Sequence, residues 1–237
     1  MFDILKQYLK DEVIAPKQFI VKDMKKAVKD RITQNLLTAR LIWQIVGEEI
    51  PSLIDEEYNC SVIMGFDIKL KDVNDSAFFA ELVQHMVKSP CVIRFYDDND
   101  EVYSFAHKRV NYTDDTQVVI VDRVETPPLS LAFPDKTAEK LKRYLAFGAL
   151  LNKNDKLSLY LEATVKAFII SNPNLYSGMD SLLDGKIWYN RVEILALFEK
   201  LKELEQLNAE LKAEKLPGSK FKIIAKIKSL QGGLKGE

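Results

Sequence analysis

Asp67-Ile68-Lys69 is the tripeptide of this 237-residue chain whose residue types and spacing come nearest to a reaction centre. Metal-dependent nucleases place an acid and an acid-x-Lys tripeptide on adjacent strands. The carboxylates then hold a divalent ion while the lysine orients the attacking water. Here the tripeptide lies in an apolar stretch, Ser61 to Leu70, that reads as a strand. The residues ahead of it read as a helix, so no preceding strand supplies the second acid. On an alternating strand Asp67 and Lys69 share one exposed face, where an ion pair is the common outcome. A cleavage centre would need a cleft that gathers Asp67, Lys69, Asp97 and Lys108.

Other chemistries find less support. Two histidines, His85 and His107, and two cysteines, Cys60 and Cys91, are scattered and lack metal-ligand spacing, so neither a metal nor a cofactor is expected. No Gly-x-Ser-x-Gly elbow is present. Gly185-Lys186 lacks the upstream glycine of a phosphate loop, and Gly232-Gly233 sits in the tail. The turn residues Asp97, Asp98 and Asp100 are followed by no glutamate at the distance that closes a calcium loop. The cysteines adjoin apolar runs and read as buried thiols of a reducing compartment. With no basic n-region ahead of an apolar run and no segment of membrane-spanning length, the expectation is a cytoplasmic protein away from membranes. The 34 basic residues nearly cancel the 35 acidic ones, so any nucleic-acid contact must come from a local patch.

The positioning elements follow from periodicity. A short helical prelude over residues 3–11 precedes Pro16, and Lys22 to Ile50 carries a helical period through Ile32, Leu36, Leu37, Leu41, Ile42 and Ile45. The cluster Lys22, Lys25, Lys26 and Lys29 at its start reads as a solvated face. After the strand over 61–70, Asn74 or Asp75 caps a helix that Pro90 stops. Cys91 to Tyr96 and Glu101 to Lys108 form a hairpin, and Gln117 to Val124 is a fourth strand. The fold class is thus α+β: a small mixed or antiparallel sheet with helices on one face, followed by a helical region ending in an antiparallel helical hairpin. The divisions are residues 1–125 for the α+β domain, 126–136 for a Pro-containing linker, 137–187 for a helical region, 188–231 for the hairpin and 232–237 for a flexible tail. Within the helical region the helices are expected over 137–151 and 157–171.

The hairpin has the clearest pattern. Ile194, Leu201 and Asn208 fall on one heptad position and Leu197, Leu204 and Leu211 on the other, as in a coiled-coil seam. Leu216-Pro217-Gly218-Ser219 breaks the helix, and Ile223, Ile227, Leu230 and Leu234 resume the spacing. The break is short enough for the seam to close on the returning helix. Around the break, Lys212, Lys215, Lys220, Lys222, Lys226 and Lys228 are opposed only by Glu214, which makes a locally positive tip on a neutral protein. These lysines are the nucleic-acid-binding candidates, as phosphate neutralisers without base readout. Phe221 stands alone, so single-strand stacking is not supported.

Pro16-Lys17, Ile42-Trp43, the strand over Ile63 to Leu70 and the pair of strands around Cys91 to Lys108 set a recognisable order. The ending adds Leu201-Lys202-Glu203-Leu204, Glu214-Lys215, Phe221-Lys222-Ile223 and Lys226-Ile227-Lys228-Ser229-Leu230. Together they resemble the bacterial domain of unknown function 4391 family over nearly the whole chain. Gln44-Ile45-Val46 departs from the Tyr-Lys-Leu that the family tends to carry after the tryptophan. The resemblance assigns no activity. Because such genes often neighbour helicases and DNA methyltransferases of restriction or phage-defence type, it implies an accessory subunit in DNA handling. A non-catalytic adaptor docking on a helicase, a methyltransferase or nucleic acid is therefore the leading expectation. A divalent-metal nuclease using Asp67 and Lys69, or a structural self-association module, are the alternatives.

Overall fold

The computed structural model describes residues 2–234. In chain order the elements are β1 (Leu9–Ile14), α1 (Lys26–Asn35), β2 (Leu36–Ile45), a two-stranded ribbon β3 (Leu53–Ile54) and β4 (Asn59–Cys60), then β5 (Ile63–Leu70), α2 (Ser76–Met86) and β6 (Cys91–Tyr96). They continue with β7 (Asp100–Asn111), β8 (Asp114–Glu125), β9 (Leu129–Ser130), α3 (Lys136–Tyr144), α4 (Lys156–Ser171), α5 (Met179–Leu182), α6 (Arg191–Ala213) and α7 (Pro217–Leu234). The main sheet has seven strands in the order β1-β2-β5-β6-β7-β8, with β9 beside β7. β5 and β6 run parallel, joined by α2, and the other pairs in the sheet are antiparallel. The chain is an α+β protein with a mixed sheet and a C-terminal helical region. No helix among the described residues is long and apolar enough to cross a membrane.

Two N-terminal expectations are overturned. The helical prelude is one 3-10 turn, Lys6–Tyr8, leading into β1. The long helix over 22–50 is a short helix followed by a ten-residue strand. Thr38, Ile42, Trp43 and Ile45 are residues that suit a pleated, half-buried surface, but their two-residue alternation is hidden by a β-bulge. The register slips between Leu41 and Trp43. Ala39 and Leu41 therefore face one side of the sheet and Trp43 and Ile45 the other, which imitates a helical spacing in the sequence.

Each face of the sheet has its own core. On one side Ile32 of α1 and Phe79, Ala80 and Val83 of α2 pack on Leu41, Phe66, Ile68, Leu70, Ile93 and Phe95. The two helices of the β section thus share a face. On the other side Trp43, Ile45, Ile63, Val92 and Phe105 meet the helical region, chiefly α4. Trp43 lies flat across Gly65: a Cβ there would fall 1.9 Å from Trp43 Cε2.

Helix α4 is buried along its length from Lys156 to Ile170. The Tyr160 hydroxyl accepts from the Ala106 N–H (2.8 Å) and donates to the Cys91 carbonyl (2.9 Å), spanning β6 and β7 beyond their last registered pair, Ile93 with Ser104. Glu162 and Lys166 form a fully buried ion pair of 2.5 Å. The Glu162 carboxylate also accepts the N–H groups of Leu151 (2.9 Å) and Asn152 (2.7 Å). The helix expected over 137–151 would have ended at Leu151; α3 instead ends at Tyr144.

Helix α6 packs on α4, with Phe168 and Phe198 edge to face at 5.5 Å. Helix α7 returns along α6, and Ile223, Ile227, Leu230 and Leu234 join the core that holds Leu201, Leu204 and Leu207. The seam closes internally. Leu207, not Asn208, fills it; the Asn208 amide folds back on the Leu204 carbonyl at 2.7 Å. Helix α7 continues through Gly232 and Gly233 to a buried Leu234, and residues 235–237 of the expected tail lie outside the described residues.

Two substitutions test this packing by chemical denaturation. Tyr160→Phe strands the buried Ala106 N–H and leaves the Cys91 carbonyl a 3.4 Å bond from the Gln84 amide, and is expected to lose about 2 kcal/mol; a loss below about 0.5 kcal/mol would show that the hydroxyl is dispensable. Gly65→Ala drives a methyl group into Trp43 and is expected to cost about 2–3 kcal/mol, with relief on combination with Trp43→Leu.

Candidate functional site

Strand pairing brings Arg40 of β2, Asp67 of β5, Arg94 of β6 and Tyr103 of β7 into one cross-strand row. The row extends the face on which Trp43 and Phe105 pack, near the edge where the core gives way to solvent. Arg94 is its centre. Its Nη1 donates to Asp67 Oδ2 at 3.2 Å and its Nε to Glu101 Oε2 at 2.5 Å, and the guanidinium lies 4.5 Å over the Tyr96 ring. The Tyr103 hydroxyl donates to Glu101 Oε1 at 3.0 Å.

Burial pushes the Asp67 carboxyl above its ordinary value, and the Arg94 charge and hydrogen bond pull it back down. Asp67 Oδ1 is buried with no hydrogen-bond partner. One of the two oxygens is therefore committed to a guanidinium and the other is held from water. Lys69 shares the face but turns away: its Nζ donates to Asp98 Oδ1 at 2.7 Å on the turn after β6.

A strand does precede the tripeptide, contrary to the expectation, because the second half of the supposed helix is β2. It does not complete a nuclease centre. Opposite Asp67 it carries Arg40, which is itself ion-paired with Asp11 of β1. A divalent ion at Asp67 would meet cations on both neighbouring strands. Asp97 is spent on the turn, where Val73, Asn99 and Asp100 donate their N–H groups to it. Those donors hold its carboxyl below the ordinary value against a desolvation that works to raise it. Lys108 faces elsewhere, its Nζ on the carbonyls of Val87 and Ser89. The structure thus brings Asp67, Lys69, Asp97 and Asp98 to one end of the sheet and leaves Lys108 out. Among the described residues no three His, Cys, Asp or Glu side chains gather at metal-binding spacing. The sequence reading missed Arg94, Glu101 and Arg40. Alternating charge at strand spacing was the available signal, but only the register shows that they are neighbours.

The other candidate surface is the hairpin. Glu214 ends α6 by accepting the N–H groups of Lys215 (2.7 Å) and Leu216 (2.8 Å), which turns the chain into α7. Backbone donors and the nearby Lys220 hold its carboxyl low. From Lys215 to Leu234 there is no acid. The outward side of α7 carries Phe221 (73% exposed), Lys222, Ala225, Lys226, Lys228, Ser229 and Gly232. Among the described residues none of Lys212, Lys215, Lys220, Lys222, Lys226 and Lys228 is in an ion pair. The outward side of α6 is of opposite sign, with exposed Glu193, Glu199, Glu203 and Glu210.

A mixed sheet with a cross-strand charge cluster around Arg94, bearing an amphipathic helical hairpin, defines an α+β protein. The chain belongs to the family described as Domain of unknown function (DUF4391), which matches residues 6–234. Neither a curated protein nor a solved structure matches it.

Replacing Arg94 tests whether the sheet cluster is structural. Arg94→Met leaves Asp67 and Glu101 facing each other without their cation and is expected to cost about 2 kcal/mol, less than a deeply buried pair because Arg94 keeps 23% exposure. Manganese is expected to restore part of the melting temperature of Arg94→Met and to leave the parent unchanged. A clear rise in the parent would mean that Asp67 already takes a metal ion.

Proposed function

We propose that this protein is a non-catalytic, cytoplasmic accessory subunit that docks through its C-terminal hairpin in a DNA-handling assembly. The observation that carries the reading is the outward face of α7. It presents lysines without internal counterions, around small residues that let another backbone approach closely, while the apolar side of the same helix is satisfied within the chain. Apart from exposed Phe221, a surface of this kind offers mainly charge, which fits a polyanionic partner. The sheet, with Arg94 bridging Asp67 and Glu101, serves as the rigid base for the hairpin. The partner class, a helicase or DNA methyltransferase of restriction or phage-defence type, comes from the family resemblance. DNA held by such a partner is the polyanion that α7 would meet.

Two measurements test this. Anisotropy titrations with duplex DNA at several salt concentrations are expected to give a negative slope of log affinity against log salt. Replacing Lys222, Lys226 and Lys228 with Gln should reduce that slope by about 3. Pull-down from the native host should recover the DNA enzyme with the parent and lose it when residues 190–237 are deleted. A monomer with no DNA affinity at low salt and no co-purifying enzyme would end the adaptor reading. A fall in mass by light scattering on the same deletion, without DNA or enzyme binding, would favour self-association instead.

A further inference from the structure

At the end of the sheet remote from the Asp67 cluster, β4, the loop between α2 and β6, and the start of the β7–β8 hairpin enclose a cavity of about 250 Å³. It shares no lining residue with the hairpin or with the charge row. Three cations line it, Lys88, Lys108 and Arg109, together with hydroxyls and amides, and no acid does so among the described residues. Tyr58, Val118 and Leu157 supply its apolar wall.

Lys108 is the unusual member. It is 4% exposed, and its Nζ lies 2.7 Å from the Val87 carbonyl, 3.2 Å from the Ser89 carbonyl and 3.6 Å from Cys91 Sγ. None of these is an anion. Arg94 and Lys166 each face a carboxylate, and buried Lys156 rests like Lys108 on neutral acceptors but lines no cation-rich cavity. A buried ammonium without a counterion is costly, and burial lowers the proton affinity of Lys108 accordingly. Beside it, Lys88 is exposed and in no ion pair among the described residues, and Arg109 contacts only the Val110 carbonyl and the Tyr112 ring.

We propose that this cavity is an anion site for a phosphate group, either free phosphate or the monoester of a small ligand no larger than a mononucleotide, held by Lys88, Lys108 and Arg109. Three positive charges with no acid among them match a dianion better than a single carboxylate, and guanidinium geometry suits phosphate oxygens. The volume falls below the roughly 300–1,000 Å³ of pockets for drug-sized ligands, which sets the upper size and excludes a duplex or a folded peptide. Tyr58, Val118 and Leu157 offer a surface for the organic part of a monoester. The site is independent of the hairpin reading.

Calorimetric titration of the full chain with inorganic phosphate, adenosine 5′-monophosphate and adenosine tests the assignment. Phosphate or the monophosphate is expected to bind while adenosine does not. Preference for inorganic phosphate identifies the free ion as the occupant, and preference for the monophosphate identifies an ester. Lys88→Gln and Arg109→Gln are expected to weaken binding at least tenfold each. Neither side chain is in the core, so folding should survive even where Lys108→Met fails to fold. Lys222→Gln on the hairpin should leave the affinity unchanged. Absence of binding by both phosphate compounds at low salt, or binding indifferent to Lys88→Gln and Arg109→Gln, would overturn the proposal.

Discussion

Helix α4 is buried on all sides although it carries Lys156, Glu162 and Lys166, so the surrounding chain must supply a polar partner for each. The Lys156 ammonium takes the carbonyls of Gly47 and Ile50 and the Ser52 hydroxyl, which ties down the segment after β2. Glu162 takes Lys166 and the N–H groups of the loop after α3. Tyr160 enters the sheet between β6 and β7 and completes their hydrogen bonding where the strands part. The Lys156 and Tyr160 bonds join segments far apart in sequence, while those of Glu162 hold the loop that leads into α4. The helical region is for this reason continuous with the sheet in one core, although the secondary structure changes character near residue 125.

The same demand for satisfied charge explains the Asp67 cluster. Placed at a core edge, the acid is pushed above its ordinary value by burial, Arg94 pulls it back down, and both cross-strand neighbours are cations. An acid-x-Lys tripeptide on a strand is a necessary part of one reaction centre and also an ordinary product of polar alternation on a strand. The neighbours decide between the two, and here they are Arg40 and Arg94. The hairpin is organised oppositely. Its apolar side is closed and its exposed sides carry charge, mainly negative along α6 and positive along α7, so its capacity to act on another molecule is electrostatic and sensitive to salt.

How much of this was legible varied by element. Helix α4, the β6–β7 pair and the hairpin follow from runs whose period survives without interruption. Helix α2 follows from its polar start at Asn74-Asp75 and its stop before Pro90. Strand β2 did not emerge, because the bulge at Ile42 shifts the apolar residues from one face to the other and breaks the alternation that would have marked a strand. Asn208 looked like a seam residue because heptad counting ignores that a short amide can bond its own helix. Lys108 stood as a strand terminus that a cleavage cleft would have to gather, since nothing in its neighbours along the chain shows that Val87, Ser89 and Cys91 close over it.

By itself, then, the sequence determined the fold class, the family and the charge on the hairpin. These depend on composition and short-range periodicity, which a linear chain displays directly. The tertiary structure alone decided which charges are spent and which remain available. Whether a lysine or an aspartate is free depends on groups brought near it by strand register and helix packing, tens of residues away. For that reason Asp67 and Lys69, the most suggestive pair in the chain, became a neutralised part of the sheet. Lys88 and Arg109, which carried no signal in sequence, and Lys108, which the sequence grouped with Asp67, became cations that face no carboxylate among the described residues.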